Sequence, residues 1–242
     1  MVTRTSQRVY TGENNCGSAP VEELRSFYHA DVSVALAASQ SRGFSPLWMP
    51  SFLEERLAQP NGHPVWGKWS FTPSSLVTGK SRGGARVALV AHIPSYVSDP
   101  ENIAAARVGG RLVNGALPVA DAEVYRLLAL EGNGVMVVDH AKLLGAKVGV
   151  MPVDETIDHV LTAPFCGSVD LASRYLPRHN EHYGRVSIWF RKEDLQSDVP
   201  AARLLLAGGS YFILDADYGL SLSGRFFGVR RNSAVGADAE KT

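Results

Sequence analysis

Imidazole, thiol and carboxylate side chains crowd one stretch of this chain, where Asp139, His140, His159, Cys166, His179, Glu181 and His182 interrupt largely apolar sequence. These are groups that titrate near neutrality or bind transition metals. Two pairs have usable spacing. Asp139 and His140 follow the apolar run Val135–Val138, where a strand end meets a loop and a general acid or base can face a cleft. His179 and His182 stand at i and i+3, which puts both on one helical face if a helix continues past Pro177. The expectation is a pocket with Asp139, His140, His179 and His182 as catalytic groups, and with His179 and His182 as ligands for zinc or another divalent metal. A complete metal site needs a further ligand, for which Cys166, His159 and Asp139 are the candidates. The competing reading makes His179 to His182 a polar turn between a helix and the strand at Arg185. Cys166, in an apolar run, reads as a packed thiol rather than a nucleophile.

Other chemical motifs are incomplete. Thr78-Gly79-Lys80-Ser81 resembles the end of the phosphate-binding loop of nucleotide hydrolases, but Ser74 stands where the first glycine belongs. The residues after Ser81 read as a glycine-rich hairpin, not as the helix N-terminus that phosphate binding needs. The same stretch resembles the cofactor loop of short-chain dehydrogenases without its final glycine or the downstream tyrosine–lysine pair. His140-Ala141-Lys142 is similar to the phospholipase D half-motif, yet Lys147 occupies the place of its aspartate. The histidine pair also departs from the His-Glu-x-x-His of zinc hydrolases, because Glu181 does not directly follow His179. No nicotinamide, flavin or haem signature is present. One succession, Arg8, then Ser70–Ser75, then Asp121 and Glu123, is similar to that of ADP-ribosyltransferases and covers roughly half the chain. That resemblance implies a transferase whose late carboxylate stabilises an oxocarbenium-like transition state.

The elements that would position these groups are legible in outline. Ser18 as an N-cap, with Pro20, Glu22 and Glu23 behind it, predicts a helix burying Leu24, Phe27 and Tyr28. A second helix is expected over Ser51–Gln59, ended by Pro60 and Gly62. Strands follow from Val65 through Trp66, Trp69 and Phe71, and again over Val87–Ile93. Helical spacing returns over Pro118–Leu130, and Val135–Val138 reads as a strand buried on both faces. A short helix or turn at Ala141–Leu144, an apolar run at Val148–Val153, and helices at Glu155–Leu161 and Ser168–Leu176 come next, the last stopped by Pro177. Arg185–Arg191 alternates as a half-buried strand, and Tyr211–Leu214 and Leu220–Val229 read as strands joined by a hairpin turn through Asp215, Asp217 and Gly219. Without a strand–helix–strand cadence, these elements predict an α+β fold: a mixed, largely antiparallel sheet with helices packed on it. The expected organisation is a flexible arm at 1–19 with a short strand at Arg8–Thr11, one α+β domain at 20–231 and a disordered tail at 232–242.

Composition narrows the function classes. The 242 residues carry 24 basic and 24 acidic side chains, so no global field draws nucleic acid or an anionic membrane. With 45% hydrophobic and 20% charged residues, the chain is an ordinary globular one. Only Cys16 and Cys166 are present, which indicates no disulfide framework, and no segment has the length of a membrane span. The expected location is cytoplasmic. The leading expectation is a soluble hydrolase or group transferase using general acid–base chemistry. Its alternative is a non-catalytic subunit or recognition module of a larger assembly, meeting a protein partner through the N-terminal arm or the C-terminal strand Arg225–Arg231. That strand either stacks bases and contacts phosphates, or sends one of Phe226 and Phe227 into the core with its arginines solvated; zero net charge favours the second.

Overall fold

The computed structural model describes residues 9–10, 22–209 and 214–231. Strands β1 (Val9–Tyr10) and β2 (Glu22–His29) precede helix α1 (Val32–Ser41), β3 (Ser45–Pro46) and α2 (Met49–Ala58). The long β4 (Ser70–Lys80) turns back as β5 (Arg86–Ala91), and a 3-10 turn at Tyr96–Ser98 leads to α3 (Pro100–Val108). Then come β6 (Leu117–Pro118), α4 (Asp121–Leu128), β7 (Val135–Val138), α5 (His140–Gly145), β8 (Gly149–Met151), α6 (Val153–Ile157), α7 (Thr162–Cys166) and α8 (Val169–Tyr183). The last part comprises β9 (Val186–Phe190), α9 (Lys192–Gln196), β10 (Ala201–Ala207), β11 (Leu214–Ala216) and β12 (Gly224–Arg231).

These strands form one sheet, ordered β1-β2-β12-β4-β10-β11-β9-β8, with β5 and β7 continuing from β4 and with β3 and β6 beside β12 and β10. Among the described residues only β12/β4 and β11/β9 pair in parallel. The fold is therefore α+β, a mixed and largely antiparallel sheet carrying helices. Both faces of its centre are covered. Leu76, Val90, Leu205 and Phe227 pack with residues of α2, α7 and α8 on one face. Their neighbours Val77, Leu89, Leu204 and Phe226 pack with α1, α3 and α4 on the other. This is the period-two alternation of a strand, with apolar residues at both phases.

Several expectations are corrected. Glu22–His29 is a strand, not a helix: it pairs with β12 along its length, from His29 opposite Gly224 to Glu22 opposite Arg231. An N-cap contributes only about 1 kcal/mol, and a full ladder plus the burial of Leu24 and Phe27 outweighs it. Pro177 lies inside α8, which continues to Tyr183 because Tyr175, Leu176 and His179 are all buried around it. Strands β11 and β12 are not a hairpin, since β11 lies between β10 and β9 while β12 lies between β2 and β4. Trp66 is not in a strand but in the turns before β4, fully buried. Strand β7 is buried on both faces at its ends, through Val135 on one and Val138 on the other, while Val137 between them is 38% exposed. Both Phe226 and Phe227 enter the core, one on each face of the sheet. The glycine-rich hairpin is present, with Gly79 opposite Val87 and Lys80 opposite Arg86. The expected arm has its short strand at Val9–Tyr10; its other residues, Arg8 and Cys16 among them, lie outside the described residues, as do Tyr211–Ile213 and the tail from Asn232.

Candidate functional site

The residues of the Asp139–His182 window fall on three helices, α5, α7 and α8, and on the connections at Asp139 and His159. Asp139 caps α5, its carboxylate accepting from the Lys142 N–H at 3.0 Å. His140 donates from Nε2 to the Leu195 carbonyl at 2.9 Å. His159 donates from Nε2 to the Lys147 carbonyl and accepts the Leu161 N–H at Nδ1, which burial favours by pushing its pKa down. His179 and His182 do share a face of α8, and both rings meet Trp66, with centroids 6.5 and 5.2 Å away. No hydrogen bond or ring contact among the described residues joins this pair to Asp139 or His140. Nor do three or more His, Cys, Asp or Glu side chains converge among them as a metal ion would need. Cys166 is buried, and that burial pushes its thiol pKa up to about 12.

His179 belongs to a buried polar chain that begins at Arg56. The Arg56 guanidinium is wholly buried without a carboxylate among its partners, and donates to the carbonyls of Val65, Lys68 and Gly208 and to the Tyr175 hydroxyl. Because an arginine can only donate, the Tyr175 oxygen accepts at 2.7 Å, and the same hydroxyl meets His179 Nδ1 at 3.2 Å. The imidazole there is held neutral. Burial first, then the charges of Arg56 and His182, push its pKa down to about 2. A second buried pair, absent from the expected site, is Ser74 and His92. His92 Nε2 donates to the Pro164 carbonyl at 2.8 Å, so Nδ1 accepts from the Ser74 hydroxyl, whose oxygen also takes the Met49 N–H. Both imidazole nitrogens and the hydroxyl are thus committed to holding α2, β4 and α7 together. Glu123, the late carboxylate of the transferase resemblance, accepts from Arg126 and from the Tyr96 N–H, while Ser70, Thr72, Ser74 and Ser75 are fully buried.

A different constellation reaches the surface. Tyr28 of β2, Trp69 before β4, and Tyr218 after β11 form a chain of ring contacts, Tyr28–Trp69 at 6.3 Å and Trp69–Tyr218 at 6.1 Å. The Arg225 guanidinium lies over both Tyr28 and Trp69, at 5.2 and 5.3 Å. Tyr28 is 44% exposed and Leu222 46%. Sequence reading passed over this face because its members come from three distant places; their only shared signal is the aromatic and arginine content of those stretches.

The connection from β11 to β12 that carries Tyr218 and Leu222 is held mainly by its backbone. Arg203, 1% exposed, pairs with Asp194 at 2.5 Å and donates to the carbonyls of Asn114 and Asp217. The Asp215 carboxylate accepts the N–H groups of Asp217 and Tyr218. Burial nonetheless raises the Asp215 pKa to about 6. Leu220 N–H donates to Gly115, Arg107 donates to the Ser221 carbonyl, and Arg191 pairs with Asp217. Upstream, Arg56 holds the Gly208 carbonyl, and Gly209 sits so close to the backbone of Lys68 and Trp69 that a Cβ would lie 2.8 Å from the Trp69 nitrogen.

No protein-family model matches the chain, and no curated protein does. Among solved structures the chain is similar to one described as the accommodation of massive sequence variation in Nanoarchaeota by the C-type lectin fold. The two superpose with a TM-score of 0.80 at 33% identity, over 86% of this chain and 98% of that one.

Proposed function

We infer that this chain, which belongs to the C-type lectin fold family, is a recognition module that presents the Tyr28, Trp69, Tyr218 and Arg225 face to a protein partner. One observation carries the reading: the loop bearing part of that face is positioned through main-chain carbonyls and N–H groups, held by the buried Arg203 and Asp215. Exposed side chains on such a loop can change without removing the contacts that place it. That is what a fold accommodating massive sequence variation, as described for the nanoarchaeal relative, requires. Tyrosine, tryptophan and arginine are the side chains that dominate binding hot spots, and the two aromatics bury large areas at little entropic cost. The expected hydrolase or transferase chemistry has less support, since Asp139, His140 and His179 each serve local structure.

Randomising Ser221, Leu222 and Ser223 together tests this. Most variants should keep their melting temperature within about 2 °C of the parent, the range of harmless surface changes. Selection of the displayed library against protein targets should then yield binders whose affinity vanishes when the parental loop is restored. A library that mostly unfolds, or that yields no loop-dependent binder, would sink the reading.

A further inference from the structure

Further along β12 from Arg225, a cleft of about 830 Å³ opens between the end of α1, β3, the start of α2 and the segment Pro94–Asn102. Its volume is that of a ligand site. None of the residues of the Tyr28–Arg225 face lines it, and neither does any residue of the Asp139–His182 window. The walls carry flat rings: Trp48 and Tyr96, with the pyrrolidines of Pro46, Pro73, Pro94 and Pro100. Tyr96 is 44% exposed. No lysine, arginine or histidine lines the cleft, and Asp99 is its only acid, so phosphates and other anions find no counter-charge there. Among the described residues, no hydrogen bond takes up the indole N–H of Trp48, the hydroxyl of Tyr96 or the side-chain amide of Gln40, all of which line the cleft. An indole can only donate.

We propose that this cleft binds an extended, proline-containing peptide segment. A polyproline II strand has no internal hydrogen bonds, keeps its carbonyls exposed and brings few or no N–H groups of its own. It needs ring faces to cover its pyrrolidines and donors to meet its carbonyls, the combination that aromatic-lined grooves use for such ligands. Trp48 and Tyr96 supply both, Gln40 adds a donor at the rim, and Asp99 suits a lysine or arginine beside the prolines. This surface is separate from the loop face, so the two proposals stand or fall independently.

The test is an amide NMR titration of the full chain with a blocked peptide of ten prolines ending in lysine. A blocked Ala/Ser peptide of equal length and maltotriose serve as controls. The expected result is saturable shifts confined to the Trp48 indole and to residues 40–48 and 94–102. Affinity should fall about tenfold in Tyr96→Ala or Gln40→Ala, a loss typical of removing a contact in a binding groove, and stay unchanged in Leu222→Ala. Tyr96 and Gln40 both reach solvent, and a dispersed spectrum of each variant confirms that it is folded. The proposal is overturned if millimolar proline peptide moves no resonance, if either control produces the same shifts, or if both cleft variants bind like the parent.

Discussion

Arg56 and His179 illustrate how residues with chemical potential are spent on structure. An arginine buried without a carboxylate is tolerable only because four oxygens receive its donors. Arg56→Lys keeps the charge but cannot match that fan of acceptors. It should cost about 2–4 kcal/mol in urea unfolding, since each hydrogen bond from a charged donor contributes up to about 3 kcal/mol. A midpoint unchanged from the parent would mean the acceptors are satisfied without the guanidinium. His179 has a pH signature. Unfolded, it takes a proton below about pH 6.5; folded, it stays neutral down to about 2, so the unfolded state binds the extra proton over that window. Its stabilising contribution is present above pH 6.5 and is lost on acidification, at about 1.4 kcal/mol per pH unit. His179→Asn keeps a hydrogen-bonding partner for the Tyr175 hydroxyl. It should therefore be less stable than the parent at pH 7 by about 1–2 kcal/mol, and the two stability curves should converge towards pH 5. Parallel curves across that range would show that His179 is not the group responsible.

At the level of elements, close approach matters more than propensity. Gly224 opens β12 directly against α1, where a Cβ would come within 2.5 Å of the Val32 Cα. Gly224→Ala must therefore push α1 off the sheet, and the expected cost is about 1–3 kcal/mol, read as a lowered melting temperature. A melting temperature equal to the parent's would show that α1 yields freely. The same contest explains which elements could be read from sequence. Helix α4 was legible because Val124 and Leu127 keep helical spacing on an otherwise polar segment. Strand β10 was not: all of Ala201–Ala207 is buried, so it shows no polar alternation and resembles any short apolar run. Strand β2 carried strong local helix-start signals that its pairing with β12 overrode.

For the whole molecule, the arrangement separates the buried contacts that stabilise the fold from the exposed side chains of the β11–β12 connection. Arg203→Lys, which loses the fork holding Asp194 and two loop carbonyls, should lower stability by about 2–4 kcal/mol, whereas Leu222→Ala should change it by less than about 0.5 kcal/mol. Equal effects in thermal melts would mean that the loop is held by its side chains after all.

The α+β class, the antiparallel bias and the β4–β5 hairpin follow from sequence because they rest on periodicity and turn chemistry, which act between near neighbours. The pairing of His179 with His182 was readable only in its i, i+3 spacing, because the helix that realises it runs on past Pro177, where local signals end it. The surroundings of those histidines depend on tertiary structure, which brings Trp66 and Arg56 from distant positions against α8: Arg56 reaches His179 through Tyr175 of the same helix, and both imidazoles meet Trp66. The surface that Tyr28, Trp69, Tyr218 and Arg225 share likewise exists only once β12 lies between β2 and β4. Contacts of that kind depend on strand order, and strand order is chosen by the burial of the whole sheet rather than by any local stretch of residues.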